Sequence, residues 1–391
     1  MIDHAQALQD LIELLSISAG PGEELAVVEY LRRKLAALGV AESQMQTDAA
    51  HRQSEYGGST GNLLVRFDPA LDAPPGKRLL LAAHMDTVQM AKGAEPRVEG
   101  SAIGNAAAGK AFGGDDRTGC AVLLQAARRL VLCKGRHPPV TLAFTVQEEL
   151  GLVGSRGLDI NALGEPKPSL GFNFDTDSAG SVYNQVIGTE RYRALVRGRA
   201  AHSGCNPEDG VSAAVVAACA LADLYRNGWH GPIEKEGGSG TANAGVLRGG
   251  EATNLVVPQC EVWAEARAHD RAFRDRIVRT WKEAFLQAAQ AVRNARGECA
   301  EVLFAPGPVY EPCSLAPESP VVRLALDTIR RCGLEPRLDR DNGGSDTNWL
   351  NAHGIPTVTL GCGQRHPHTT AEYVDLPDFY RACEVAAALV G

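Results

Sequence analysis

The sequence predicts an α/β protein, a sheet with helices on both faces, interrupted by an inserted α+β domain. Three observations carry this reading. The short apolar runs NLLVRF (62–67), LLLAA (79–83), VTLAFTV (140–146) and LGFNF (170–174) have the length and continuity of strands buried on both sides. The helix pattern GCAVLLQAARRLVLC (119–133) falls between them, and strands alternating with helices build a sheet covered on both faces. Past about residue 187 the rhythm changes, and from about 318 it returns.

In chain order, helices are expected near 3–18 and 23–38, the second from its apolar spacing Leu25, Val28, Leu31, Leu35. The four apolar strands and the 119–133 helix follow. RYRALVRG and NLVVPQCEVWAEARA alternate like half-exposed strands, and helix patterns stand at 211–226 and 271–296. Two helices on one side of an antiparallel sheet make a separate α+β module. The helix SPVVRLALDTIRRCG and the strand IPTVTLG restore the α/β rhythm. The expected division is 1–187 with 313–391 for the α/β domain and 188–312 for the insertion, since 391 residues exceed one compact core.

Composition excludes several classes. Hydrophobic content of 44% with 22% charged residues is ordinary for a soluble globular chain. A net charge of −8 and the lack of any Lys/Arg-rich run argue against a nucleic-acid partner. No apolar stretch approaches a membrane span. The start MIDHAQALQDLIELL is an acidic amphipathic pattern with no basic leader, so it does not read as a signal peptide. Ten scattered cysteines without a CxxC pair read as reduced thiols of a cytoplasmic protein.

The chemistry gathers at strand ends. His84 closes the LLLAA strand and Asp86 follows two residues later, on the same side of an extended chain. Asp86 could therefore hydrogen-bond the His84 ring, fixing its tautomer and freeing the other nitrogen for a metal. Asp115 and Asp116 precede the 119–133 helix, Glu148 and Glu149 follow TLAFTV, Asp175 follows LGFNF, and His366 and His368 follow IPTVTLG. Singly, each has a plain structural reading: paired acids cap a helix, a Glu pair is a solvated face, and HPH is a loop. Jointly they suit a two-metal site, because crowded carboxylates repel unless a cation holds them. A His/carboxylate mixture suits zinc.

The motifs HMDTV, GGDDRTG, QEELGLVGS, AHSG and GGSDTNWLNAHGIPTVTLGCG, followed by His and Glu, resemble the di-zinc exopeptidase and deacylase family of peptidase T, carboxypeptidase G and aminoacylase. The GGSDTNWLNAHGIPTV stretch is most similar to the peptidase T-like branch. The resemblance implies that His84 and Asp175 hold one zinc, Glu149 and His368 the other, and Asp115 bridges both. His368 is preferred over His366 because the family has a histidine four residues before a glutamate, here Glu372. Asp86 would be the orienting acid, and Glu148 the general base and then acid. His202, in AAHSG, would donate to the developing oxyanion; without the resemblance it reads as a turn histidine. Asn243 or Arg267 could clamp a substrate carboxylate, although Arg267 equally fits a strand-surface charge.

The resemblance further implies two Zn2+ (with Co2+ or Mn2+ able to substitute), a cis bond between Asp115 and Asp116, and a homodimer formed through the inserted domain. That domain would act as lid and dimerisation module, with its histidine reaching the partner's active site. The implied activity is that of a tripeptidase-like aminopeptidase on short peptides. The alternatives are an N-acyl-amino-acid deacylase or carboxypeptidase on the same scaffold, or a non-catalytic peptide-binding relative. Two departures stand out. Arg117 occupies the place where the family usually has lysine, and TDSAG after Asp175 differs from the glycine-rich version of peptidase T.

Overall fold

The run LLLAAH becomes the strand Leu79–His84, buried at every position. Successive side chains of an extended chain leave in opposite directions. Leu79, Leu81 and Ala83 accordingly join the main hydrophobic core on one face, while Leu80 and Ala82 join a smaller cluster with Ala143, Leu350 and Ile355 on the other. A strand apolar at both parities belongs in the middle of a covered sheet. It pairs in parallel with Val140–Thr145 on one side and Leu170–Phe174 on the other. Leu170–Phe174 in turn pairs in parallel with Thr357–Leu360. Four adjacent parallel strands therefore end at one sheet edge, and that edge collects residues from four distant stretches of chain.

The structure, a computed structural model, describes residues 2–70 and 76–391. The chain divides into two units, Met1–Val186 with Ser314–Gly391, and Ile187–Cys313. In the first, the helices Gly114–Leu132, Leu376–Val390 and His4–Leu15 line the main core, with Leu25–Ala37 and Pro320–Arg331 beside them. The short helix Asp346–Ala352 contributes Leu350 to the opposite cluster. The sheet is mixed at its flanks: Leu63–Phe67 runs antiparallel to Val140–Thr145, and Ser181–Val186 antiparallel to Thr357–Leu360. A small four-stranded sheet of Pro96–Glu99, Ala102–Asn105, Gln364–Arg365 and Tyr373–Asp375 carries further polar residues.

The second unit is a five-stranded antiparallel sheet in the order Gly231–Lys235, Gly238–Gly249, Gln259–Ala268, Gly188–Arg197, Glu301–Tyr310. The helices Ala213–Arg226 and Arg271–Ala291 pack on one face around Trp281, whose indole N–H donates to the Trp229 carbonyl at 2.7 Å. An α/β sheet with an inserted α+β unit is thus the fold.

Differences from the sequence reading have local causes. The expected strand over 254–268 begins only at Gln259, because Pro258 has no N–H to give a ladder. The helix expected over 271–296 stops at Ala291: Val292 is extended, and Arg293 bridges to Cys299 instead. Gly238–Gly249 and Glu301–Tyr310 escaped notice, the first for its glycines and small residues, the second for its prolines. All ten cysteines are unpaired. Among the described residues no helix is long and apolar enough to cross a membrane.

Candidate metal centre

Two clusters of metal-capable side chains form at the edge where the four parallel strands end, and they share one member. His84, Asp115 and Asp175 present ligand atoms within 4.8 Å of one another, and so do Asp115, Glu149 and His368. The His84 Nε2 lies 2.9 Å from Asp115 Oδ1 and 3.8 Å from Asp175 Oδ1. The His368 Nε2 lies 2.8 Å from Glu149 Oε1 and 3.2 Å from Asp115 Oδ2. Asp115 thus turns one oxygen to each histidine. His366 is outside both clusters, its ring 6.0 Å from that of Tyr373.

The two aspartates of GGDDRTG do different jobs. The Asp116 carboxylate accepts from the Gly119 N–H at 2.9 Å and the His84 N–H at 3.0 Å, so this residue is the helix cap that a paired-acid motif suggests. Asp115 is left for the cluster. The bond between them is cis. Gly113, with φ +80°, makes the turn into the helix. A Cβ on Gly119 would fall 2.0 Å from the Phe174 carbonyl oxygen and 2.6 Å from both Asp116 oxygens, so only glycine fits there.

Asp86 is placed differently from the simplest expectation. The short partner of His84 Nδ1 is the Asp86 backbone carbonyl at 3.1 Å, with the Asp86 carboxylate at 3.4 Å. A carbonyl only accepts, so Nδ1 carries a proton, and Nε2 is the nitrogen turned to the cluster. The Asp86 carboxylate accepts from the Glu148 and Glu149 N–H groups at 3.0 and 3.1 Å. It therefore holds the loop that carries both glutamates.

The electrostatics are those of a cation site. Burial pushes the Asp175 carboxyl well above the usual carboxylate range, and Asp116 and Asp115 push it further. Burial likewise raises Glu148, with help from Glu149, and raises Glu149, with help from Asp115. For Asp115, burial is overcome by hydrogen bonds from His368 and His84, which hold its carboxyl low. The same bonds to Asp115 and Glu149 push His368 up to about 10. Anionic oxygens crowded away from water call for positive charge, and hard oxygen donors with two imidazoles fit divalent metals.

Two supporting residues were not given roles from sequence. Glu372 accepts from three N–H groups, those of Phe112 (2.7 Å), Gly113 (2.9 Å) and Asp115 (3.1 Å), and so fixes the backbone of the shared ligand. Gln364 Nε2 donates to Asp116 Oδ1 at 2.9 Å and approaches Asp175 Oδ1 at 3.4 Å. Glu372 was visible in HTTAE only as a marker for His368; nothing in the sequence marks Gln364.

The remaining expected residues lie in the second unit. His202 is exposed, and its Nδ1 accepts from the Gly204 and Cys205 N–H groups, each at 3.1 Å. Its proton therefore sits on Nε2, which is left to donate. Asn243 is exposed and stands opposite Glu265 across the sheet. Arg267 Nε donates to Glu265 Oε1 at 2.9 Å, two residues away on the same strand face.

Residues 80–391 match the peptidase family M20/M25/M40. The chain belongs to that family. It is 30% identical to aminopeptidase PepT from Bacillus cereus ATCC 10987, with a TM-score of 0.83, the match covering 100% of this chain and 98% of that one. A tripeptidase from Staphylococcus aureus subsp. aureus mu50 is 28% identical with a TM-score of 0.85, again over 100% and 98% of the two chains. Protein YqjE of Bacillus subtilis (strain 168) is 28% identical over 393 residues, 100% of this chain and 99% of that protein. As an M20 protein of this kind, the chain is a metallo-exopeptidase-type hydrolase.

Because Glu372 fixes the backbone of Asp115, Glu372→Ala should weaken metal binding about 10–100-fold in chelator competition, the usual cost of losing a ligand's support. His366→Ala should leave it unchanged. Equal weakening by both would contradict the placement of His368 in the cluster.

Proposed function

We propose that this protein is a cytoplasmic, zinc-dependent aminopeptidase of short peptides, tripeptidase-like in its substrates. The observation that carries the reading is the sharing of Asp115 between two ligand clusters, with Glu148 beside one of them and belonging to neither. His84 and Asp175 would hold one Zn2+, Glu149 and His368 the other, and Asp115 both; Co2+ or Mn2+ would fit the same donors. When bound, the metal pair polarises the scissile carbonyl and acidifies the attacking water.

Each of the chain's own groups then has a stated task. Glu148 receives the proton of the attacking water on its carboxylate and delivers it to the nitrogen of the leaving amine. Asp86 keeps Glu148 and Glu149 in register by holding both their N–H groups. The His202 Nε2–H is suited to donate to the carbonyl oxygen as negative charge builds there. For the substrate carboxylate, Asn243 is the freer candidate, since Arg267 would first have to leave Glu265. The unpaired cysteines suit a reducing cytoplasm.

A panel of di- and tripeptides, free and N-acylated, scored by released amine with and without added zinc, tests this reading. Free tripeptides should be cleaved, and Glu148→Gln should lower turnover about 10²–10⁴-fold, the usual worth of general acid–base catalysis, while keeping its metals. Release from N-acylated substrates alone would make the protein a deacylase instead. Near-normal turnover in Glu148→Gln would remove its assigned role.

The family resemblance supports a homodimer in which the inserted unit's His202 serves the partner's site. Glu148→Gln and His202→Ala, each inactive alone, should regain activity when subunits exchange. The site on the His202→Ala chain then keeps its own Glu148 and receives His202 from the other. Verified exchange without recovered activity rules out the shared site, and full activity of His202→Ala alone makes it a turn histidine only.

A further inference from the structure

We propose that Glu24 is a positioning residue for Glu148, acting through the backbone of the loop Gln147–Glu149; this rests on the reading of Glu148 as the base. The loop leaves the strand Val140–Thr145 with Gln147 at φ +50°, a conformation that a side chain adopts only when its surroundings impose it. Three successive N–H groups of this loop end on carboxylates. Gln147 N–H donates to Glu24 Oε1 at 3.0 Å, Glu148 N–H to Asp86 Oδ1 at 3.0 Å, and Glu149 N–H to Asp86 Oδ2 at 3.1 Å. Two acids from separate parts of the chain thus grip consecutive amides, and the middle amide belongs to the base.

Glu24 stands just before the helix Leu25–Ala37, yet its side chain caps none of that helix's N–H groups. It turns instead to Gln147, while the same Oε1 accepts from the Gly22 N–H at 2.8 Å. Its side chain is wholly buried, and Oε2 has no hydrogen-bond partner among the described residues. Burial, then the nearby Asp86 charge, pushes its carboxyl up to about 7. A carboxylate kept in so unfavourable a place is not explained by helix capping, which water-exposed acids do well.

The surroundings make the grip stiff. The Gln147 side chain donates from Nε2 to the Gly57 carbonyl at 2.9 Å and accepts from the Ser54 hydroxyl at 2.5 Å. Arg117 is also buried, and donates from Nη2 to the Ala19 carbonyl at 3.1 Å. Burial draws its guanidinium toward losing its proton, and the Asp86 and Glu24 charges are among those that oppose this.

Two variants of the full-length, metal-loaded enzyme separate reach from charge. Glu24→Asp keeps the charge but draws the acceptor back by one carbon–carbon bond, about 1.5 Å. Glu24→Gln keeps an acceptor oxygen at full reach without the charge. Misplacement by about 1 Å can cost about 10²-fold, so kcat should fall by that order in Glu24→Asp with KM within about twofold, and return to within about threefold of wild type in Glu24→Gln.

Metal content should be unchanged in both variants. Hydrogen exchange at amides 147–149 reads the grip without turnover: it should quicken about tenfold in Glu24→Asp and stay as in wild type in Glu24→Gln. Full kcat with unaltered exchange in Glu24→Asp overturns the proposal. So does an equal fall in both variants, which would assign the effect to charge. Quickened exchange in Glu24→Asp in a protein that cleaves no peptide would uphold the grip and fail the peptidase reading.

Discussion

Everything in the catalytic unit answers to one constraint: the carboxylate of Asp115 must face two histidines at once. Its two oxygens lie 2.9 Å from His84 Nε2 and 3.2 Å from His368 Nε2. That is possible only because its backbone is pinned from behind by Glu372 and its neighbour Asp116 is turned away to cap the helix. The glycines follow from the same requirement, since a side chain at Gly119 would strike Asp116 and the Phe174 carbonyl. Around this residue the other acids are tolerable as ligands and costly as anything else.

The parallel sheet supplies the rigidity. Strands buried on both faces cannot shift by one residue without exchanging the two cores they separate. His84, the loop with Glu148 and Glu149, Asp175 and the His366–His368 loop are thus delivered at fixed heights along one edge. Precision at the loop tips then falls to hydrogen bonds. Gln147, His366 and His368 all have positive φ, and each lies in or next to the site. Non-glycine residues in this region cluster at functional sites because the surroundings hold them there.

What could be read from the sequence divides along physical lines. The central strands were legible because burial on both faces writes itself as continuous apolar residues, as in LLLAA and LGFNF. Most ligand candidates were legible because they follow the ends of those strands, and Asp115 because it opens the 119–133 helix pattern in GGDDRTG. Two strands of the inserted unit were not, since Gly238–Gly249 is made of glycines and small residues and Glu301–Tyr310 is interrupted by prolines.

Residues acting on backbone were the hardest to see. Glu24 and the carboxylate of Asp86 bond to a loop far away in sequence, and such a bond leaves no local pattern. Asp86 shows the difference well. Its spacing from His84 pointed to the imidazole, but its carboxylate went to the Glu148 and Glu149 amides, and its carbonyl took the ring.

The central claim is that Asp115 belongs to two metal positions, and elemental analysis of purified wild type beside Asp115→Ala tests it most directly. A bridging ligand predicts close to two divalent metals per wild-type chain and depletion of both in the variant. One metal in the wild type, or two retained in Asp115→Ala, would contradict it.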